Sequence, residues 1–399
     1  MKSIKTYCTS VLILTSILVS ASLYSQKSLK IEVNNPSKFE RQEVVAVKVK
    51  SIVKFLKGKK EADIRVVSQK LKTALPIQWL DLDLDGHADE LLFYVKIPSS
   101  SSEQFTLEAN SNIPQAVNLI ETYSRFVPER TDDYAWENDK VAFRTYGPDA
   151  QKRAEEHRPN GTLTSGIDLW LKRTDKLIIN KWYKGYETNP MFYHTDRGEG
   201  YDPYHVGASR GTGGSGIWEK DSLLVSKNFV TYKTITTGPL RTIFELTYNP
   251  YSSYGVKETK RISLDVGSNF SKFEINYAST TAVPNYTIGI TLHENKGQTE
   301  VFKEQGIFIH NETIDGVYLG EGLVFSSKDI QDVIVNKSKV KEQSNLLVIT
   351  KPTGKITYFA GFAWGKGGQA TTAEEWLQIV KNQSEIVAKP LTVKVLNVK

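Results

Sequence analysis

The sequence predicts an all-β fold, a large antiparallel β-supersandwich with few short helices, and three observations predict it. Apolar and β-branched residues alternate with period two along most of the chain, turn residues separate these runs at strand-length intervals, and 16 Phe, 7 Trp and 19 Tyr crowd into them. At 399 residues, 39% hydrophobic and 24% charged, the chain can bury a sizeable core, which excludes a disordered polymer.

Residues 1–26 read as a secretory leader: Lys2 and Lys5, an apolar run from Val11 to Val19, then Ser20, Ala21 and Ser22. That run is short for a membrane span, and no later stretch approaches spanning length. The expectation is an exported protein, periplasmic or secreted, without a membrane span. The single cysteine, Cys8, precedes the apolar run and leaves with the leader, so disulfides and thiolate–metal sites are excluded for the mature chain. Lys+Arg 51 against Asp+Glu 45 gives +6, and losing Lys2 and Lys5 leaves +4. No basic block argues for nucleic acid, and no protein partner is implied.

Residues 27–112 form the first expected unit, a β-rich region packed on the main domain. Its strands are LKIEVNN, QEVVAVKVKSI, ADIRVVSQ, LPIQWLDL and ELLFYVKI, with the serines at 99–102 as a flexible loop. Residues 113–399 form the second unit, the supersandwich. There PQAVNLIETYSRF (114–126) reads as a helix, and strands follow in DKLIINKWYK, LLVSKNFVTYKTITT, RTIFELTYNPY, KETKRISLDV, SKFEINYAST, YTIGITLHEN, GIFIHNE, NLLVITK and KITYFAGFAW. A short helix from Ala373 to Lys381 is expected to pack Trp376 and Leu377 on the sheet edge.

Three segments carry chemistry. Asp81, Asp83, Asp85 and Asp89 surround Gly86 with the spacing of a calcium loop, although Leu92 stands where a bidentate glutamate belongs; a structural calcium there competes with a solvated Asp-Gly turn. From Pro128 to Pro148, ionisable groups alternate with aromatics, and Trp136, Phe143 and Tyr146 beside Arg144 suit recognition of a sugar carboxylate or sulfate. The competing reading is an Arg–carboxylate network that ties the loop to a sheet. From Tyr193 to Trp218, histidines, tyrosines and arginines sit among many glycines, as in an ordered functional loop. No phosphate-loop pattern accompanies those glycines, so nucleotide binding is rejected. His157, His194, His205 and His293 are the histidines that could meet at a transition metal, but spacing alone brings no set together and no metal is assigned. His87 and His310 read as structural, and Trp170, Trp182 and Trp364 as core or cleft lining.

The stretches DDYAWENDKVAFRTYGP, GYDPYHVGASRGTGGSGIW and QWLDLDLDGHADELLFYV together resemble a secreted bacterial family long labelled a domain of unknown function and found among polysaccharide-degradation genes. The resemblance covers essentially the whole mature chain. Within that family the chain is similar to oligosaccharide dehydratases of ulvan breakdown, and the family is similar to galactose-mutarotase-like proteins. The resemblance implies a carbon–oxygen lyase that removes water across C4–C5 of a non-reducing-end glucuronate or iduronate next to rhamnose-3-sulfate, with an anionic oligosaccharide as partner and no required cofactor.

Such chemistry needs a base for the C5 proton, an acid for the departing 4-hydroxyl and positive charge near the sugar carboxylate. His194, Tyr204, His205 and Arg210 are the catalytic candidates, and a basic role for Tyr204 needs Arg210 beside it to lower its pKa. Trp136, Asn138, Arg144, Tyr146, Trp182 and His293 are the substrate-binding candidates. A non-catalytic glycan-binding protein, a chain-cleaving polysaccharide lyase and a glycoside hydrolase compete with this reading. A hydrolase needs two carboxylates across a cleft, for which Glu137, Asp196 and Glu199 are available.

Overall fold

The computed structural model describes residues 28–109, 112–204, 206–340 and 342–396. The leader, Cys8 and His205 lie outside the described residues. The architecture is the expected all-β sandwich; among the described residues it is built from five antiparallel sheets with a few helices packed on them. An eight-stranded sheet runs in the order Phe229–Thr237, Arg241–Tyr248, Lys257–Asp265, Phe270–Ala278, Lys355–Trp364, Val317–Phe325, Ile307–Ile314, Gln298–Phe302. Two five-stranded sheets pack on it: one centred on Thr212–Glu219, Tyr286–Thr291 and Asn345–Thr350, the other on Asp133–Glu137, Ala142–Thr145 and Asp168–Lys172. Alternate residues such as Phe244, Leu246, Ile262 and Leu264 bury one face of the large sheet against Ile288, Ile290 and Val348. Burying this layer is the main force holding the sandwich together.

The helix Ala373–Ala388, longer than expected, covers the other face of the large sheet over Ile307–Ile314 and Val317–Phe325. Thr372 caps its start by accepting from the Glu375 N–H, and Trp376 is fully buried, stacked on Phe270 at 5.4 Å. Ahead of the sandwich, a four-stranded and a three-stranded sheet enclose their own core of Ile31, Val33, Phe93, Phe105 and Leu107. Gln78 ties this unit to the sandwich, donating to Thr236 Oγ1 and the Arg241 carbonyl and accepting from the Leu240 and Arg241 N–H groups. The last described strand, Thr392–Leu396, pairs with Ser28–Asn35, so residues 392–396 complete the N-terminal unit and not the supersandwich.

Several elements differ from expectation for identifiable reasons. Residues 114–126 hold no helix; Tyr123–Val127 pairs instead with Asp133–Glu137. DKLIINKWYK ends in a helix, Ile179–Thr188, because the buried Glu137 carboxylate accepts the Ile178 and Ile179 N–H groups and Ile179, Trp182 and Tyr183 form one buried face. QEVVAVKVKSI is a strand only to Lys48, after which Val49–Leu56 is helical and buries Ile52 and Phe55. The serine run begins a strand, Ser101–Ala109, paired with Ser28–Asn35. TGGSGIWE is also a strand, and its glycines admit neighbouring protein: a Cβ on Gly213 would lie 2.8 Å from the Ala360 side chain.

Candidate active site

A cavity of about 980 Å³ opens where residues 203–204 and 206–211, the loop following Thr291 and the hairpin 307–325 meet. The hairpin supplies its polar wall. Asp315 and Gly316, at φ 50° and 74°, make a two-residue turn, which sets His310 opposite Glu321 across the two strands. Strand alternation puts Glu312 on the same face as His310. His310 and Glu321 are buried, with Nδ1 and Oε2 2.8 Å apart, and the Thr212 hydroxyl donates to the other Glu321 oxygen.

His293 stands just past the strand Tyr286–Thr291 with φ 43°, a left-handed conformation that non-glycine residues seldom hold without a reason. Its ring stacks on Tyr204 at 4.3 Å and 11°, and its Nδ1 lies 2.8 Å from Glu312 Oε1. The Tyr204 hydroxyl donates to that same oxygen at 2.6 Å. Burial, then the charges of Glu312 and Glu321, push the Tyr204 hydroxyl well above its ordinary pKa. Burial works against a charged His293, but the carboxylates of Glu312 and Glu321 outweigh it and raise its pKa. Tyr204, His293, Glu312 and Glu321 all line the cavity.

Behind the wall sits a buried ion network. Arg144 donates through Nε to Asp168 at 2.6 Å, through Nη2 to Asp202 at 2.7 Å and through Nη1 to the Tyr193 hydroxyl at 3.1 Å, with Asp133 at 3.7 Å. Tyr146 donates to the same Asp168 oxygen at 3.1 Å. Asp168 lines the cavity, so Arg144 and Tyr146 act on it from behind. Of the two readings of this segment, the carboxylate network is the one found.

The remaining candidates are placed elsewhere. Trp136 is fully buried and donates to Ser271 Oγ at 2.9 Å, because its strand is covered on both faces. Asn138 spends its side chain on the carbonyls of Asp265 and Ser268 and the N–H groups of Lys140 and Val141, clamping a turn. Trp182 packs on Trp170 at 5.1 Å in the helix core. Arg210 points into the interior, onto Ser165, Thr164 and the Ser215 carbonyl, and burial lowers its pKa to about 10. It therefore does not stand beside Tyr204, whose hydroxyl faces Glu312 and whose ring stacks on His293. His194 is half-buried, with Nδ1 3.0 Å from the Asp202 carbonyl, and does not line the cavity; burial lowers its pKa. The histidine that meets His293 is His310, read from the sequence as structural, at 6.0 Å between ring centres. The sequence signal that reveals it is the Asp315-Gly316 turn, which fixes the register of HNETIDGVYLGE.

In the loop 81–89, Asp81, Asp83 and Asp89 approach one another, without Asp85 in the group. Asp81 accepts from the Leu84 and Gly86 N–H groups, Asp83 from Asp85 and Asp89 from Leu82, so the turn's own backbone already occupies these carboxylates. Among the described residues no helix is long and apolar enough to cross a membrane.

The family described as "Domain of unknown function (DUF4861)" matches residues 33–393. "Uncharacterized protein P7" of Formosa agariphila is 40% identical over 373 residues, which is 92% of each chain. Among solved structures, a glycosyl hydrolase family 38 protein from Enterococcus faecalis is similar with TM-score 0.49 at 10% identity, over 94% of this chain and 48% of that one. An alpha-mannosidase from Enterococcus faecalis V583 is similar with TM-score 0.46 at 10% identity, over 93% and 46%. The chain spans about half the length of these two structures.

Proposed function

We propose, for a chain that belongs to the DUF4861 family, that the cavity binds the uronate end of an anionic oligosaccharide and removes water across C4–C5. The observation that carries this reading is the stacked pair of Tyr204 and His293 on the cavity wall, both touching Glu312 Oε1. A hydroxyl donor and an imidazole held side by side are the acid and base that an elimination requires. His293 takes the C5 proton, the electrons of the broken C–H bond form the C4–C5 double bond, and the C4–O bond breaks. Tyr204 protonates the departing hydroxide, which leaves as water. The tyrosine is reprotonated through Glu312 or solvent, and His293 returns its proton to solvent, so the enzyme ends as it began. The cavity volume suits one or two sugar rings.

The substrate class within this reading is a glucuronate or iduronate next to rhamnose-3-sulfate, as in ulvan oligosaccharides, and export through the leader would bring the enzyme to such polymers. Cavity carboxylates such as Asp168 and Glu312 favour a glycoside hydrolase as the second reading. Mass spectrometry of a defined uronate-ended oligomer before and after incubation separates the two. Loss of one water with the chain length intact supports the lyase. A shortened chain supports the hydrolase, and an unchanged oligomer that still binds supports a non-catalytic glycan-binding protein.

A further inference from the structure

The contacts of His293 with Glu312 and of His310 with Glu321 have two physical explanations. In one, each imidazole is doubly protonated and salt-bridges its carboxylate. In the other, both imidazoles are neutral and the four groups share a cation. Two observations favour the second. His310 is fully buried and its Nε2 has no hydrogen-bond partner, so an imidazolium there would carry an unsatisfied buried N–H, whereas a neutral ring that donates from Nδ1 to Glu321 leaves the Nε2 lone pair for an ion. His293 Nδ1 lies 2.8 Å from Glu312 Oε1 yet also has no hydrogen-bond partner, because the oxygen is off the line of the ring N–H. Two donor atoms that close, without a proton directed between them, are spaced as neighbouring ligands of one ion, about 2.9 Å apart at right angles for bonds of about 2.0–2.1 Å.

We propose that His293, His310, Glu312 and Glu321 bind one divalent transition-metal cation, of the zinc or manganese class, on the cavity wall. Each residue offers one donor atom, and the four atoms lie within 4.8 Å of one another. Donors in a tetrahedral shell are about 3.4 Å apart, so side-chain shifts of about 1 Å complete the site. Two carboxylates and two neutral imidazoles offset a dication, and the nitrogen donors select against calcium. The hydroxyls of Tyr204 and Thr212 hold the two carboxylates in place, as outer partners of metal ligands do. The ion's effect on the reaction rests on the lyase reading: a neutral imidazole has one lone pair, so a metal-bound His293 cannot take the C5 proton, and the ion holds the enzyme inactive until it leaves. The cavity lining carries Asp168, Glu294, Glu312, Asp315, Glu321 and Glu342 against Lys296, an excess of negative charge that a bound cation offsets.

The test is calorimetric titration of the full chain, freed of any affinity tag and stripped with a chelator, using Zn²⁺ and Mn²⁺. One ion per chain is expected, with Kd raised at least about 100-fold in both His293→Ala and Glu312→Gln. Asp83→Asn, in the other acidic loop, serves as the control and leaves binding unchanged. Absence of saturable binding in the wild-type chain overturns the site, as does undiminished binding in Glu312→Gln, which keeps the side-chain volume and decides the matter if His293→Ala fails to fold. Activity then separates the site from the reaction. A stripped chain that leaves uronate oligomers intact refutes the lyase reading and leaves the site standing. A metal-loaded chain that dehydrates them as fast as the stripped chain overturns the ion's role.

Discussion

Replacing Arg144 by Leu tests whether this residue is a substrate clamp or a scaffold beneath the cavity. Its side chain is 4% exposed and neutralises Asp168 and Asp202 at 2.6 and 2.7 Å, with Asp133 a further 1 Å or so away. Removing it leaves Asp168 and Asp202 buried without their paired cation, while Asp133 keeps Arg130 and Tyr183, and the loss of one partner from a buried ion network costs about 3–5 kcal/mol. Arg144→Lys restores the charge but not the planar fork that reaches Asp168 and Asp202 together, so it is expected to recover only part of that loss. Equilibrium denaturation of the wild type and both variants measures these differences, and oligosaccharide titration and turnover of both variants measure binding and rate. The expected result is a large stability loss in Arg144→Leu, an intermediate one in Arg144→Lys, and a reduced rate in the lysine variant because Asp168 is no longer held. A stability change below about 1 kcal/mol in Arg144→Leu, with oligosaccharide binding abolished, refutes the scaffold argument and returns Arg144 to the ligand.

Three further outcomes follow from the same geometry. Tyr204→Phe removes the hydroxyl but keeps the ring that stacks on His293, so kcat is expected to fall by about 10²–10⁴-fold with the melting temperature little changed; an unaltered kcat rejects Tyr204 as the acid. Tyr134 is buried, and burial above all raises its hydroxyl pKa from 10.0 to about 12. Its stabilising contribution is therefore complete below about pH 10 and lost as pH rises toward about pH 12, so denaturation curves of Tyr134→Phe should lose less stability across that window than the wild type, and equal losses contradict the assignment. Truncation after Pro390 removes the strand paired with Lys30–Asn34, so amide exchange should quicken there while the eight-stranded sheet stays protected; unchanged exchange at Lys30–Asn34 contradicts the terminal strand's place in the N-terminal unit.

Sheet-forming segments were legible because their pattern is local. ELLFYVKI matches the strand Glu90–Ile97 residue for residue, and KITYFAGFAW matches Lys355–Trp364. Segments whose state depends on distant partners were not legible. Ile179–Thr188 is helical because Glu137, more than forty residues earlier, caps it, and Tyr123–Val127 is a strand because Asp133–Glu137 lies beside it. The site divides the same way. Tyr204 and His293 were recognisable as reactive groups in unusual surroundings, and Asp315-Gly316 carried the register that joins His310 to Glu321. Which way a buried guanidinium points is a tertiary property. Arg144 and Arg210 have similar aromatic and glycine-rich contexts in the sequence, yet one supports a cavity residue and the other is sealed in the interior by Thr164, Ser165 and Ser215.

The central claim is that the Tyr204–His293 cavity eliminates water between C4 and C5 of a terminal uronate. Proton nuclear magnetic resonance of the product from a defined glucuronyl-rhamnose-3-sulfate oligomer tests it most directly. The account predicts that the H5 signal disappears and one olefinic H4 signal appears, with the linkage to rhamnose intact. Retention of H5 in a released free uronate, or an oligomer spectrum identical before and after incubation, contradicts it.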